Sequence, residues 1–170
     1  MDVSTGRLLS GEWEDDELRT TLRAHLAARQ VGEVVVARGE GALVAETRAT
    51  VRAAVGGVRW EERGGVGAGE AVTALREGGY FADNALPPPL AALVERGREV
   101  AMCAVGLAHA HLREALLDRA VLAMGNAGGL GGEGDEGEGE GEGEGVPCHM
   151  ALDGAALENL EVSLNGRGDG

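Results

Sequence analysis

The sequence predicts an α/β fold: a mixed sheet flanked by helices, followed by a further helical segment. Three observations lead there. Short runs rich in β-branched residues alternate with segments whose apolar residues recur at helical spacing. Pro87-Pro88-Pro89 ends that alternation. Beyond it, from Leu90 to about Met124, the pattern is helical, with a break near Gly97.

The elements follow in order. Met1-Asp2-Val3 is extended, Ser4-Thr5-Gly6 turns, and Arg7 to Trp13 forms a second strand, so the chain opens on a β-hairpin. Its first arm is shorter than the usual strand of about 5–6 residues. Either the strand is unusually short, or it begins upstream of Met1, in a larger protein. Asp15 or Asp16 caps a helix whose apolar face is Leu18, Leu22 and Leu26. Glu33-Val34-Val35-Val36-Ala37 is a strand, about Ala42 to Ala54 a helix, Val58-Arg59-Trp60 a short strand, and about Gly69 to Glu77 a third helix. The βαβ portions are expected to be parallel and right-handed. Val100 to Leu117 is apolar around much of its circumference, which marks a helix covered by protein.

Composition limits the core and the partners. Apolar residues make up 44% of the 170, but aromatics only 2%, so the core must be built from Ala, Val and Leu. The net charge is -14. Half of it comes from Glu133, Asp135, Glu136, Glu138, Glu140, Glu142 and Glu144, which no base interrupts. Such an acidic chain repels phosphate and should not grip nucleic acid by itself. The alternating Gly-Glu tract within 125–146 has no apolar anchor and reads as a disordered linker. Met150 to Asp153 is extended again, and Asp153 caps a short helix reaching Val162. No secretory signal follows Met1, and the longest apolar run, Val100 to Leu112, carries His109 and His111. A membrane span needs about 18 apolar residues. A soluble, intracellular chain is expected.

Several residues resemble chemical motifs. Val34 to Ala42 runs a strand into Gly39-x-Gly41 and a helix, with Glu61 placed as a ribose-binding acid would be. This gives the alternative reading, a small NAD-type cofactor enzyme. Position 44 is Val where the fingerprint wants Gly or Ala, and Gly65, Gly67 and Gly69 repeat the Gly-x-Gly pattern. The same residues read as an ordinary β-α turn. Cys103, His109, His111, Cys148 and His149 lack zinc-site spacing, since residues two apart on a helix face away from each other. They read as a small buried cysteine and partly exposed histidines. Asp2 reads as a turn residue, because the strand from Glu33 to Ala37 offers it no partner acid for two-metal chemistry. Arg167-Gly168-Asp169 is a chance match to an adhesion tripeptide. With no lysine in the chain, the lysine of a phosphate loop cannot be present. No residue is assigned a catalytic, cofactor-binding or metal-binding role.

Two stretches resemble DNA mismatch-repair proteins of the MutS family. Asp2 to Asp16 is similar to the hairpin and first helix of the family's connector domain. Gln30 to Gly39 and Gly79-Tyr80-Phe81 are similar to its later parts. Met150 to Val162, with Leu152-Asp153 and Asn159-Leu160-Glu161, is similar to the opening of the lever (core) domain, with Ala156 where the family has Thr. The hairpin looks closest to the eukaryotic large subunit that contacts the mismatch. The resemblance implies a ribonuclease H-like connector over 1–89, joining helices over 90–124, the acidic linker over 125–146, and the start of an all-α lever over 147–170. It implies a non-catalytic fragment of a protein that binds mispaired DNA and signals repair with ATP and Mg. The implied partners are a second MutS homologue and a MutL-type protein. The implied location is the nucleus in a eukaryote and the cytoplasm otherwise. The mismatch-reading wedge, the clamp and the ATPase match no residues here, so mismatched DNA and ATP would be engaged only through other parts of the parent.

Overall fold

The computed structural model describes residues 1–39 and 44–130. The fold is α/β. Its described residues divide into two compact units, one of 1–13, 33–39 and 60–130, the other of 14–32 and 44–59.

The first unit holds two small sheets. In one, β1 (Leu8–Ser10) pairs in parallel with β4 (Ala127–Gly129), Leu8 opposite Ala127 and Ser10 opposite Gly129. In the other, β2 (Glu33–Arg38) pairs with β3 (Arg59–Gly64). Two paired ribbons thus stand where one mixed sheet was expected. The expected hairpin contracts to a single antiparallel bridge, Asp2 to Arg7. The partner that β1 takes along its length is β4. Leu8 N donates to Asn126 O at 2.9 Å, Leu130 N to Ser10 O at 2.8 Å, and Asn126 Nδ2 to Thr5 O at 2.9 Å. Residues 127–129 were expected to belong to the linker. A backbone edge left open on β1 would be costly when buried, and a small Ala-Gly-Gly segment can lie close against it. The rest of the linker, and the lever opening at 147–170, fall outside the described residues.

The helices of this unit are α3 (Ala68–Glu77), α4 (Pro88–Glu95), α5 (Glu99–Glu114) and α6 (Asp118–Leu122). Pro88 starts α4 in the first turn, where its missing N–H is no loss. The expected break falls at Gly97, with φ +65°. A second, unforeseen break comes at Leu116, whose φ of 57° ends α5. Glu12, just past β1, caps α5: its Oε2 accepts from Ala101 N at 3.0 Å. A carboxylate there also complements the positive end of the helix dipole.

One apolar cluster unites Leu8, Leu75, Leu90, Met102, Leu112 and Val121. It draws on both sides of Pro87-Pro88-Pro89. The dearth of aromatics expected of the core holds: only Tyr80 and Phe81 pack against the cluster, edge to face with ring centroids 6.2 Å apart. At Gly106 the two principal helices meet. A Cβ there would fall 2.6 Å from Ala71 Cβ and 2.8 Å from Val66 Cγ1, so α3 and α5 approach as only glycine allows.

The second unit pairs α1 (Thr20–Ala27) with α2 (Ala45–Ala54). The cap on α1 comes from both acids. Asp15 accepts from Thr21 N and Leu22 N at 3.0 and 2.9 Å, and Asp16 from Thr20 N at 2.9 Å. Because the cap acts on residues 20–22, the helix starts after Leu18. That residue, expected on the apolar face, is 71% exposed. Arg19 Nε donates to Thr47 Oγ1 at 3.1 Å and ties α1 to α2.

Candidate functional site

Among the described residues, a group of acids, one arginine and one histidine gathers where α5 meets β2 and β3. Glu33 begins β2. Glu61 and Arg63 are two apart on β3, hence on one face of that strand. His111 and Glu114 are three apart on α5, hence neighbours on one helix face. The five meet. His111 Nε2 lies 3.0 Å from Glu33 Oε2, and His111 Nδ1 lies 3.7 Å from Glu61 Oε1. Arg63 bridges Glu61 and Glu114 with its two terminal nitrogens. Glu114 first, then Glu61, hold the Arg63 guanidinium in its charged form above its ordinary pKa, while Arg63 holds Glu114 below the usual carboxylate range.

These charges are only partly hydrated. The side chains of Arg63, His111 and Glu61 are 14%, 19% and 22% exposed, so their attractions are screened less than on an open surface. The Nδ1 atom of His111 is buried and makes no hydrogen bond. Glu33, Glu61 and His111 can each offer one ligand atom, all within 4.8 Å of one another.

A second polar group sits on the opposite side of α5's sequence register. Tyr80 Oη donates to Asp118 Oδ2 at 2.7 Å and lies 2.9 Å from His109 Nε2. A phenol has one proton, so the bond to Asp118 makes the Tyr80 oxygen the acceptor from His109 Nε2–H. Burial first, and Arg113 second, push His109 down toward the neutral form. The Tyr80 bond holds Asp118 below the usual carboxylate range, and burial then Asp118 raise the phenol.

The sign of the Asp118 effect makes it testable. A carboxyl depressed in the folded chain adds stability above its ordinary 3.8 and loses it as pH falls through the folded value. Replacing Tyr80 with Phe removes the bond. The melting temperature of the wild type is therefore expected to exceed that of Tyr80→Phe by most near neutral pH, and the gap should narrow as pH drops below 3.8. A gap independent of pH would mean that Tyr80 acts through packing alone.

The residues singled out from the sequence are placed as follows. His109 and His111 do serve different surroundings. His109, however, is 4% exposed and not partly exposed, because Tyr80 Oη gives its ring a hydrogen-bond partner in the interior. Cys103, expected buried, is half-buried on α5. Cys148, His149 and Arg167-Gly168-Asp169 lie outside the described residues. Asp2 accepts from Ser4 N and Ser4 Oγ at 2.9 and 2.7 Å and is held at about 2, chiefly by the Ser4 hydroxyl and then the Thr5 hydroxyl. It is the turn residue expected. Gly39 closes β2 with φ +76°, while Gly41 lies outside the described residues. Glu61, the acid of the dinucleotide fingerprint, is occupied by Arg63 and His111. Glu33 meets Glu61 and His111 and not Asp2. The sequence signal for this group was the pair of parities, two apart on a strand and three apart on a helix. It went unread because Glu61 to Gly64 has the polarity of a loop.

The hollow among Leu8, Phe81, Leu122 and Asn126 has a volume of about 10 Å³, far below the roughly 300–1,000 Å³ typical of small-molecule sites. No helix among the described residues is long and apolar enough to cross a membrane. No protein-family model matches the chain, and no curated protein matches it.

Proposed function

We propose that the chain is a connector module of a MutS-like mismatch-repair protein, running into the opening of its lever domain. The ribonuclease H-like sheet, the lever start at Met150 and a nuclear location in a eukaryote belong to this reading. The observation that carries it is the clamp at β1. The segment that resembles the connector hairpin is hydrogen-bonded along β4, which falls at the start of the stretch leading to the lever-like motif. From the same segment, Glu12 caps the long helix α5. A pull on either segment is resisted by the same backbone bonds. That is the mechanical requirement for passing a state between two ends of a protein, and it needs no reaction at this point.

On this reading the module is not an enzyme. Recognition of mispaired DNA and use of ATP with Mg belong to the parent's other domains. The module offers surfaces to a second MutS homologue and to a MutL-type protein. Sequencing the DNA on both sides of this reading frame tests the identity. A mismatch-reading domain upstream and a phosphate loop downstream, both in frame, are expected; finding neither would overturn it. Titration of the chain with a mismatched duplex at moderate salt tests the division of labour. No saturable binding is expected. Micromolar, mismatch-selective binding would sink the non-catalytic reading, as would a melting temperature raised by NAD.

A further inference from the structure

We infer that Glu33, Glu61 and His111 form a binding site for one divalent first-row transition ion of the zinc type. The donor set is one imidazole and two carboxylates, held by β2, β3 and α5. Their ligand atoms lie within 4.8 Å of one another. Two atoms that share an ion at about 2.1 Å each stand roughly 3.0–4.2 Å apart, from the right angle to the straight line. The 3.7 Å between His111 Nδ1 and Glu61 Oε1 falls in that range. It is too long for a good hydrogen bond, which needs about 3.2 Å or less. The Nδ1 atom is moreover buried without a hydrogen bond, a cost that a metal bond removes.

Charge favours a cation as well. Three carboxylates, Glu33, Glu61 and Glu114, surround one guanidinium and one imidazole. When Glu61 is shared with an ion, Arg63 keeps Glu114 as partner. The imidazole selects the class of ion. Magnesium and calcium prefer all-oxygen sites, whereas imidazole suits zinc and its neighbours. Three protein donors on three separate elements leave coordination positions open to water. The site is independent of the connector reading: either can fail without the other.

The test uses the full chain stripped of metal. Zinc is titrated in competition with a chromogenic chelator, and cobalt is followed by its visible absorption. One zinc ion per chain is expected at micromolar tightness. The affinity should fall at least about tenfold in Glu33→Gln, Glu61→Gln and His111→Gln. It should be unchanged in Cys148→Ser combined with His149→Gln. It should rise in Arg63→Met, which frees Glu61 from its competitor. The acids of 133–144 are the same in every variant, so weak binding there cancels in the comparison. Should a variant fail to fold, the wild type decides: cobalt must broaden the His111 ring resonances in a histidine-labelled NMR spectrum. Unchanged affinity in His111→Gln, loss confined to the Cys148/His149 variant, or cobalt broadening only at other histidines would overturn the site. In that event the group is an ion-pair clasp between α5 and the ribbon of β2 and β3.

Discussion

Leu75→Ala is expected to lower the unfolding free energy by about 2–5 kcal/mol. Leu75 is fully buried in α3 and belongs to the cluster shared with Leu90, Met102 and Leu112. The truncation removes three carbons from that cluster and leaves a hole that its neighbours fill only in part. The loss matters because the core lacks large aromatic side chains. Its stability is a sum over leucine, valine and methionine contacts, each contributing roughly 1.5–3 kcal/mol. A domain of ordinary stability has only about 5–15 kcal/mol in total. Urea unfolding measures the effect: the midpoint should fall while the slope stays the same. A loss below about 1 kcal/mol would mean that the helices close over the hole, and that packing of α3 on α5 is loose.

At Gly106 the expected effect runs against helix propensity. In an unhindered helix, Gly→Ala gains about 1 kcal/mol. Here the new Cβ would stand 2.6 Å from Ala71 Cβ and 2.8 Å from Val66 Cγ1, well inside contact distance. Ala71 has no rotamer with which to retreat, so α3 must move as a body. Overpacking of this kind costs about 1–3 kcal/mol. Gly106→Ala is therefore expected to be destabilising on balance, and Gly106→Val more so, by 1–3 kcal/mol or somewhat above. The same urea series reads both. A stabilised Gly106→Ala would show that α3 and α5 do not touch at this point.

Legibility in the sequence divides along physical lines. The strand at Glu33 is found within one residue because an unbroken Val34-Val35-Val36 run has few other uses. Helix α3 and the break at Gly97 were legible for similar local reasons, a short segment of helix-forming residues and a residue suited to positive φ. Strand β3 was cut short at Trp60, because Glu61, Glu62 and Arg63 carry no apolar alternation. Their strand conformation rests on partners distant in sequence: Arg38 donates to Glu62 O at 2.9 Å, and Arg63 reaches Glu114. Strand β4 has no β signal in Ala-Gly-Gly, and its pairing is with β1, distant in sequence. The acid–imidazole group failed to be read for the same reason. Its parities are visible, but nothing local says that residues 33, 61 and 111 share one place.

The pairing of β1 with β4 also sets a timetable for folding. Leu8 cannot find Ala127 until the whole intervening chain has been made. At roughly 5–20 residues per second of synthesis, the amide edge of β1 waits on the order of ten seconds for its partner. During that interval it is an open strand, able to pair with the wrong segment or with another nascent chain. Closing so long a loop is also slow once synthesis ends, since this parallel pairing joins residues far apart in sequence. The pairing that joins these two distant strands is thus late to form, and its waiting edge is an early hazard for the young chain.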